Sequence, residues 1–422
     1  MRINGKKVNV EGIFIILIII SLVLENFKLF TILGASFKPV QAVSAFAVVY
    51  CFLFHAIDVK KIMWTIVFLA IPLAPLYRIN DKMEFFKTYV IYAIIVTFVC
   101  FALPHLKKTF LDNPKVYLKV FNAVMAVVAI LGIVQFILMN LFGIMFLENI
   151  YGAFQFHNSS YGMESGFYRA YSLFHEPSFF GLALNIALAI NLVTVGKEFS
   201  AKKIIFIIML VIATIMTISS SAIWIMAAIF FVYFISIKKI NINMVFGVLI
   251  AIGVIVLIVA LVDVSFIRNS MSRLFYETNN ENTSAYERLV TPFDYIRATM
   301  QHYPVFGRGF GQIGNVDKVG IYGNYVGVHN GVFALFVIFG LSSIPYYLWL
   351  VRQFFGAKYK RESRFNRIIL FVAIFGMYFS TGSCISFDTF HFTTLVIFIL
   401  SGLEANNAFE EPIALRENSQ EA

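Results

Sequence analysis

VFNAVMAVVAILGIVQFILMNLFG, residues 120–143, carries no charged side chain and is predominantly apolar. Wound as a helix it is long enough to cross a hydrocarbon core of about 30 Å. Runs of this kind recur along the chain, and their recurrence decides the fold class. The predicted spans are residues 12–33, 39–56, 62–77, 87–104, 120–143, 177–195, 203–218, 221–237, 243–262, 330–351, 367–383 and 388–403. The expectation is an all-α, polytopic transmembrane bundle of about twelve helices. Residues 1–422 read as one integral membrane domain. A large outer loop, 263–329, holds short helices between spans nine and ten, and 404–422 forms an acidic cytoplasmic tail.

Composition agrees. Of 422 residues, 60% are hydrophobic and 13% charged, with 48 Phe and a mean hydropathy of +0.82. A soluble domain must keep a wetted surface and cannot hide that much apolar area. The N-terminal Arg2, Lys6 and Lys7 precede an apolar run that continues past Leu24 with no small-residue cleavage site, so the run reads as an uncleaved first span. Cys51, Cys100 and Cys384 lie in or beside apolar runs, which offers neither a disulfide framework nor zinc-ligand spacing.

The net charge of +10 is explained by topology without nucleic acid. With the N-terminus cytoplasmic, short inner segments hold Lys60, Lys61, Lys107, Lys108, Lys115, Lys197, Lys202, Lys203, Lys238 and Lys239. The segment after span ten adds Arg352, Lys358, Lys360, Arg361, Arg364 and Arg367. Both termini are then cytoplasmic. Two long outer segments, 144–176 and 263–329, carry Arg169, Arg268, Arg273, Arg288, Arg297, Arg308 and Lys318. Positive charge outside runs against the orientation rule and asks for a further reason. Arginine binds phosphate through a rigid planar fork; headgroup contact or plain solvation is the alternative.

Three motifs concentrate chemistry at that outer face. In RAYSLFHEPSFFG, residues 169–181, Pro177 suits a first helical turn and places Glu176 at the helix mouth, at the membrane surface, with His175 and Arg169 nearby. Glu176 is a base, a sugar-hydroxyl ligand or simply a helix cap. In ERLVTPFDYIRATMQHYPVFGRGFGQIG, residues 287–314, Thr291 to Asp294 read as a capped helix start, with Phe293, Ile296 and Met300 on one face. Arg288 precedes this helix and Arg297 lies in it. The glycines after it read as a flexible turn that lets Arg308 and backbone N–H groups approach a ligand. No strand precedes them, so they are not a dinucleotide fingerprint. In GVHNGVFALFVIFG, residues 327–340, His329 and Asn330 stand at the start of span ten, where a helix dipole favours anions. Asp388 and His391 form a weaker outer pair.

Absences narrow the reading. There is no Asp-x-Asp cluster and no Walker motif, so neither a metal-bound nucleotide-sugar donor nor ATP is expected. Midspan charge is nearly missing; Glu25 and Lys28 are the exception.

The order of these features resembles the O-antigen polymerase and ligase family of bacterial cell-surface polysaccharide assembly. The likeness in topology covers nearly the whole chain; the motif likeness is confined to 169–181, 219–224 and 285–340. The SSSAIW run at 219–224 departs from the family's commoner Ser-Arg pattern. The EPS form is closer to the polymerases. The resemblance implies a glycosyltransferase at the outer face of the inner membrane that needs neither metal nor cofactor. It joins undecaprenyl-diphosphate-linked repeat units, in the manner of lipopolysaccharide assembly, with a chain-length regulator as partner. Arg169, Arg288, Arg297 and Arg308 would neutralise the diphosphate; His329 or Glu176 would be the base; His175 and Asn330 would support them. A ligase, or a lipid-linked oligosaccharide flippase without chemistry, are the other readings.

Overall fold

The computed structural model describes residues 2–3, 6–7, 9–24, 26–32, 35–56, 58–79, 81–145, 163–164, 167–194, 200–236, 290–310, 330–355, 361–380 and 387–404. These are mostly helical. The helices are α1 (Val10–Leu22), α2 (Pro39–Phe54), α3 (Val59–Ala70), α4 (Lys82–Thr97), α5 (Leu103–Asp112), α6 (Pro114–Phe142), α7 (Pro177–Thr194), α8 (Ala201–Met216), α9 (Ser220–Ser236), α10 (Thr291–His302), α11 (Gly331–Phe339), α12 (Ile344–Phe355), α13 (Arg361–Ser380) and α14 (Phe387–Glu404). A 3-10 stretch, Ile71–Arg78, extends α3, and a π stretch, Phe98–Ala102, joins α4 to α5. Pro104 explains the latter, because it has no N–H to give the preceding turn. The strands are two- or three-residue antiparallel pairs, among them Phe30–Ile32 with Ala35–Phe37.

By length and composition five helical stretches suffice to cross a membrane, 59–77, 82–112, 114–142, 177–194 and 331–355, the last of which is broken at Gly340. Shorter apolar helices cover 10–22, 39–54, 220–236 and 389–403. Large apolar side chains face outward from α2 and α3, with Leu53 at 71% and Trp64 at 59% exposure. Water would not tolerate such a belt and lipid does, so this is a membrane protein.

The bundle is built around α7. Every residue of α7 except its last is buried, as expected of a helix apolar on all sides. It packs against α6, α8, α9, α13 and α14. Phe180 fills the notch at Gly132 of α6, and Gly181 lets Ala222 of α9 come close. Asn185 Nδ2 donates to the Ala222 carbonyl at 2.7 Å, and Asn122 and Asn191 exchange amide bonds between α6 and α7.

Two of the predicted spans take a different form. The first helix ends at Leu22, so Lys28 lies beyond it and is exposed, not midspan. Span ten is not one straight helix. The Tyr347 hydroxyl hydrogen-bonds to the Val332 carbonyl. A straight α-helix would separate those residues by about 22 Å along its axis, far beyond a tyrosine's reach. The chain instead folds back through a 3-10 turn, Gly340–Ser343, with Gly340 at φ +59°. Span nine, 243–262, lies outside the described residues.

Residues 304–309 clasp this turn. Leu341 N donates to Pro304 O and Ser342 N to Val305 O, while Arg308 N and Gly309 N donate to Val337 O and Ile338 O. A side chain on Gly307 or Gly340 would overlap the opposing backbone, and both have positive φ. Phe310 then plugs a cluster of Phe85, Tyr89, Tyr92 and Phe339.

Candidate functional site

Contacts between helices sort the described residues by end. Gln135 and Asn140 of α6, the start of α7, the α8–α9 turn, and the close pair Gly376 and Ile225 share one end. The Tyr346–Tyr378 hydroxyl pair joins the α11–α12 hairpin to that end through α13. Lys61 and Lys108 act on His105, which stacks on His55, at the opposite end. Arg367 donates to the Gln353 and Phe354 carbonyls at that same end. Arg169, His175, Glu176, Arg308 and Asn330 are therefore all at the first end, and these basic groups are at the other.

The segment 168–176 is the least ordinary part of the bundle. It is non-helical, yet it runs down the side of α6. Asn140 brackets Tyr168, donating to its carbonyl and accepting from its N–H at 3.0 and 2.8 Å. Gln135 Oε1 accepts from the N–H groups of Tyr171 and Ser172 at 3.0 and 2.8 Å. Ser172 Oγ donates to Val128 O at 2.8 Å, and Ala170 N to Met216 O at 3.0 Å. From Asn140 to Val128 is about 18 Å along a helix. Backbone without helical bonds persists at membrane depth only where protein or a wet cavity satisfies it. Here two α6 amides and the end of α8 do so.

This segment leads to α7 as the sequence predicts. The Phe180 N–H donates to the Glu176 carbonyl at 3.2 Å, the first bond of the helix. Phe180, one turn further into α7, lies against Gly132, so the head of α7 stands beside the last turns of α6. The Glu176 side chain is 45% exposed and His175 33%, so neither is packed away. Ser178 Oγ donates to Glu176 Oε2 at 3.0 Å, and His175 Nε2 stands 3.6 Å from Oε1.

Arg169 approaches from the side. Its Nε donates to the Thr217 carbonyl at 3.1 Å, just before α9. Ser219 and Ser221 share a hydroxyl hydrogen bond at 3.1 Å in the first turn of α9. Two non-glycine residues of these segments lie in the left-handed region, Ser172 at φ +51° and Ile218 at φ +49°. Such strain persists where surrounding structure over-determines it, and it collects at functional sites. The parallel helices α7 and α9 bring two N-termini together, both favouring negative charge.

A family model for the WcaD colanic acid polymerase matches residues 13–401. The chain belongs to the WcaD colanic acid polymerase family. This agrees with the O-antigen-polymerase resemblance of the sequence and makes the chain a member of a polysaccharide-polymerase family, with the glycosyltransferase-type activity that implies. No curated protein matches the chain closely.

The other expected site residues of this family member fall differently. Helix α10 starts as predicted, but Thr291 is not its cap; Val290 holds that position without a side-chain bond. Tyr295 and Thr299 form its buried face and pack on α11 with Ala334 and Val337. Phe293 and Met300 stay exposed, and so does Arg297. Arg308 is 8% exposed. The N–H groups of Arg308 and Gly309 beside it bond the α11 carbonyls, so those two are not offered to a ligand as expected, while 311–314 of the glycine run lie outside the described residues. Asn330 Oδ1 accepts from Val332 N and Phe333 N at 3.1 and 3.4 Å and caps α11. Asn330→Ala should cost about 1 kcal/mol and lower the melting temperature in detergent by about 1–2 °C, with polymerisation retained. Lost activity at unchanged melting temperature would instead place Asn330 on the substrate.

His391 is buried, with Nε2 2.7 Å from Ser44 Oγ and its ring against Phe98, which makes it part of the packed bundle. His329, Arg288 and the side chain of Asp388 lie outside the described residues. Among the described residues no three His, Cys, Asp or Glu side chains converge as metal ligands would. The residues missed from sequence are Gln135, Asn140 and Thr217. Gln135 and Asn140 are lone amides in the apolar run of α6, and polar groups there are expensive enough to be a signal.

Proposed function

We propose that this chain elongates a cell-surface polysaccharide by joining undecaprenyl-diphosphate-linked repeat units, from the outer face of the inner membrane, through about twelve spans with both termini cytoplasmic. The observation that carries the reading is the junction of segment 169–176 with the neighbouring N-termini of α7 and α9, where Arg169 bonds beside the start of α9 and Glu176 stands at the head of α7. The orientation is supported by basic groups at the opposite end.

In this mechanism a hydroxyl oxygen of the acceptor unit attacks the anomeric carbon of the donor glycan. Glu176 takes the hydroxyl proton. The bond from that carbon to the diphosphate oxygen breaks, and undecaprenyl diphosphate leaves with the electron pair. Arg169 and the two helix N-termini stabilise the charge that develops there. Arg288, Arg297 and Arg308 are further candidates for diphosphate, and His329 remains the alternative base. The lipid tail lies in the bilayer beside the bundle. The step needs no divalent cation, since the donor already carries its leaving group.

The test is the surface glycan of a deletion strain. A single repeat unit on the acceptor core is expected when the polymerase is lost. Full-length chains stranded on undecaprenyl diphosphate would identify a ligase instead.

A further inference from the structure

Helix α10 carries three kinds of surface around its circumference. At about 3.6 residues per turn, Pro292, Tyr295 and Thr299 share one face, and all three are buried. Through Tyr295 that face packs on Ala334 and Val337 of α11. Beside it, Ile296, Met300 and Phe293 fall within about 60° of one another. Phe293 is 57% exposed and Met300 40%. Arg297 borders this flank, about 40° beyond Phe293. Gln301 and Asp294 follow, and all three polar residues are exposed. An apolar flank between a packed face and a polar one suits a helix that meets protein, lipid and water at once. The flank also continues past the helix, through exposed Val305 and Phe306.

Neighbouring elements set the level of this surface. Met63, Trp64 and Ile66 of α3 are exposed, as lipid allows. Beyond α3 the chain turns polar, with Asp81 and Lys82 exposed, so the turn into α4 marks the boundary of the bilayer at this end of the bundle. Tyr77 stands at that turn, 80% exposed, where a ring with a polar tip is favoured. The stretch after α10 abuts the same turn. Gly309 lies close against Pro75 and Ile79, and Phe310 packs on Phe85. Val305 accepts from Ser342 N beside exposed Leu341 and Ile344, and Leu348 and Val351 continue that exposed apolar surface down α12. The α10 flank is therefore continuous with a lipid-facing surface and lies at the headgroup level.

We propose that α10 is seated in the surface of the bilayer, with Ile296, Met300 and Phe293 in the lipid and Arg297 at the boundary against a phospholipid phosphate. The arginine stem can lie along the apolar flank while its charged head stays at the headgroups. Positive charge there is attracted by anionic lipid, and the apolar side chains hold the helix in place. This gives Arg297 to the bilayer in place of the donor. It holds whether or not the chain joins glycans, since no step of that reaction enters it.

The test places a nitroxide at single positions of the full-length protein carrying Cys51→Ala, Cys100→Ala and Cys384→Ala. The labelled variants are Phe293→Cys, Met300→Cys, Gln301→Cys and His302→Cys, in vesicles of phosphatidylethanolamine and phosphatidylglycerol. Oxygen partitions into lipid and a nickel chelate stays in water. The oxygen-to-nickel accessibility ratio should be about threefold or more higher at 293 and 300 than at 301 and 302. Adding Arg297→Glu should lower the ratio at 293 by about twofold, whereas Arg297→Lys, which keeps the charge, should leave it in place. Equal ratios at all four positions put the flank in water and overturn the proposal. Labels at 293 and 300 shielded from both reagents mean that another segment or a second copy covers the flank, which overturns it as well. An unchanged ratio with Arg297→Glu removes the role given to Arg297. If the alanine variant does not accumulate, Phe293→Trp and Gln301→Trp in otherwise native protein decide the same point. Lipid brominated on its acyl chains should quench the added fluorescence at 293 and spare that at 301; equal quenching overturns the seating.

Discussion

Glu176→Gln stops polymer formation while the protein accumulates in the membrane at its normal level. Glutamine keeps the shape of the side chain and still accepts the Ser178 hydrogen bond. It can also stand at the start of α7 much as glutamate does. What it cannot do is take a proton from an attacking hydroxyl. General base catalysis is typically worth about 10²–10⁴-fold, and a loss of that order in turnover is expected. Donor affinity should change little, because the base acts only as the transition state forms. The fold has small reason to fail, since α7 is held by its packing along its length and not by its first side chain. The measurement is the elongation rate of purified protein at equal abundance. Near-normal turnover would hand the role to His329.

Arg169→Lys is expected to lower activity by roughly ten- to a hundredfold. The reason is geometry at constant charge. The Nε bond to the Thr217 carbonyl fixes the plane of the guanidinium beside the first turn of α9. Lysine has no such fork and places a single point charge on a flexible stem. One charge-assisted hydrogen bond is worth about 1.5–3 kcal/mol, and about 1.4 kcal/mol corresponds to a decade. The loss should appear in donor binding as well as turnover, because the diphosphate is charged in both states. Equal activity of the lysine variant would mean that the arginine is only a surface cation.

Much of this arrangement was legible in the sequence, for identifiable reasons. Helix α7 begins at Pro177 because proline suits a first turn, and α6 ends at Phe142 because Gly143 takes the left-handed cap at φ +67°. Those signals are local. The course of the segment before Glu176 is not: it depends on Gln135 and Asn140, which belong to another helix and hold the chain against it. The break in span ten was equally hidden. Hydropathy runs evenly through Gly340, and the fold-back is set by backbone contact with Gly307, a residue distant in sequence. The same contact engages the Arg308 and Gly309 N–H groups that were expected to face a ligand. Helix α10 was placed correctly by Pro292, but its buried face was misread. Tyr295 and Thr299 pack inward and leave Phe293 exposed.

The central claim is that the site at the N-terminus of α7 joins lipid-linked glycans. Purified protein in lipid vesicles should be given undecaprenyl-diphosphate-linked repeat units in excess EDTA, and the lipid-linked products resolved by length. The account predicts a ladder of longer chains with release of one undecaprenyl diphosphate per unit joined. Repeat units that cross the vesicle membrane unchanged in length, with no diphosphate lipid released, would contradict it and identify a flippase.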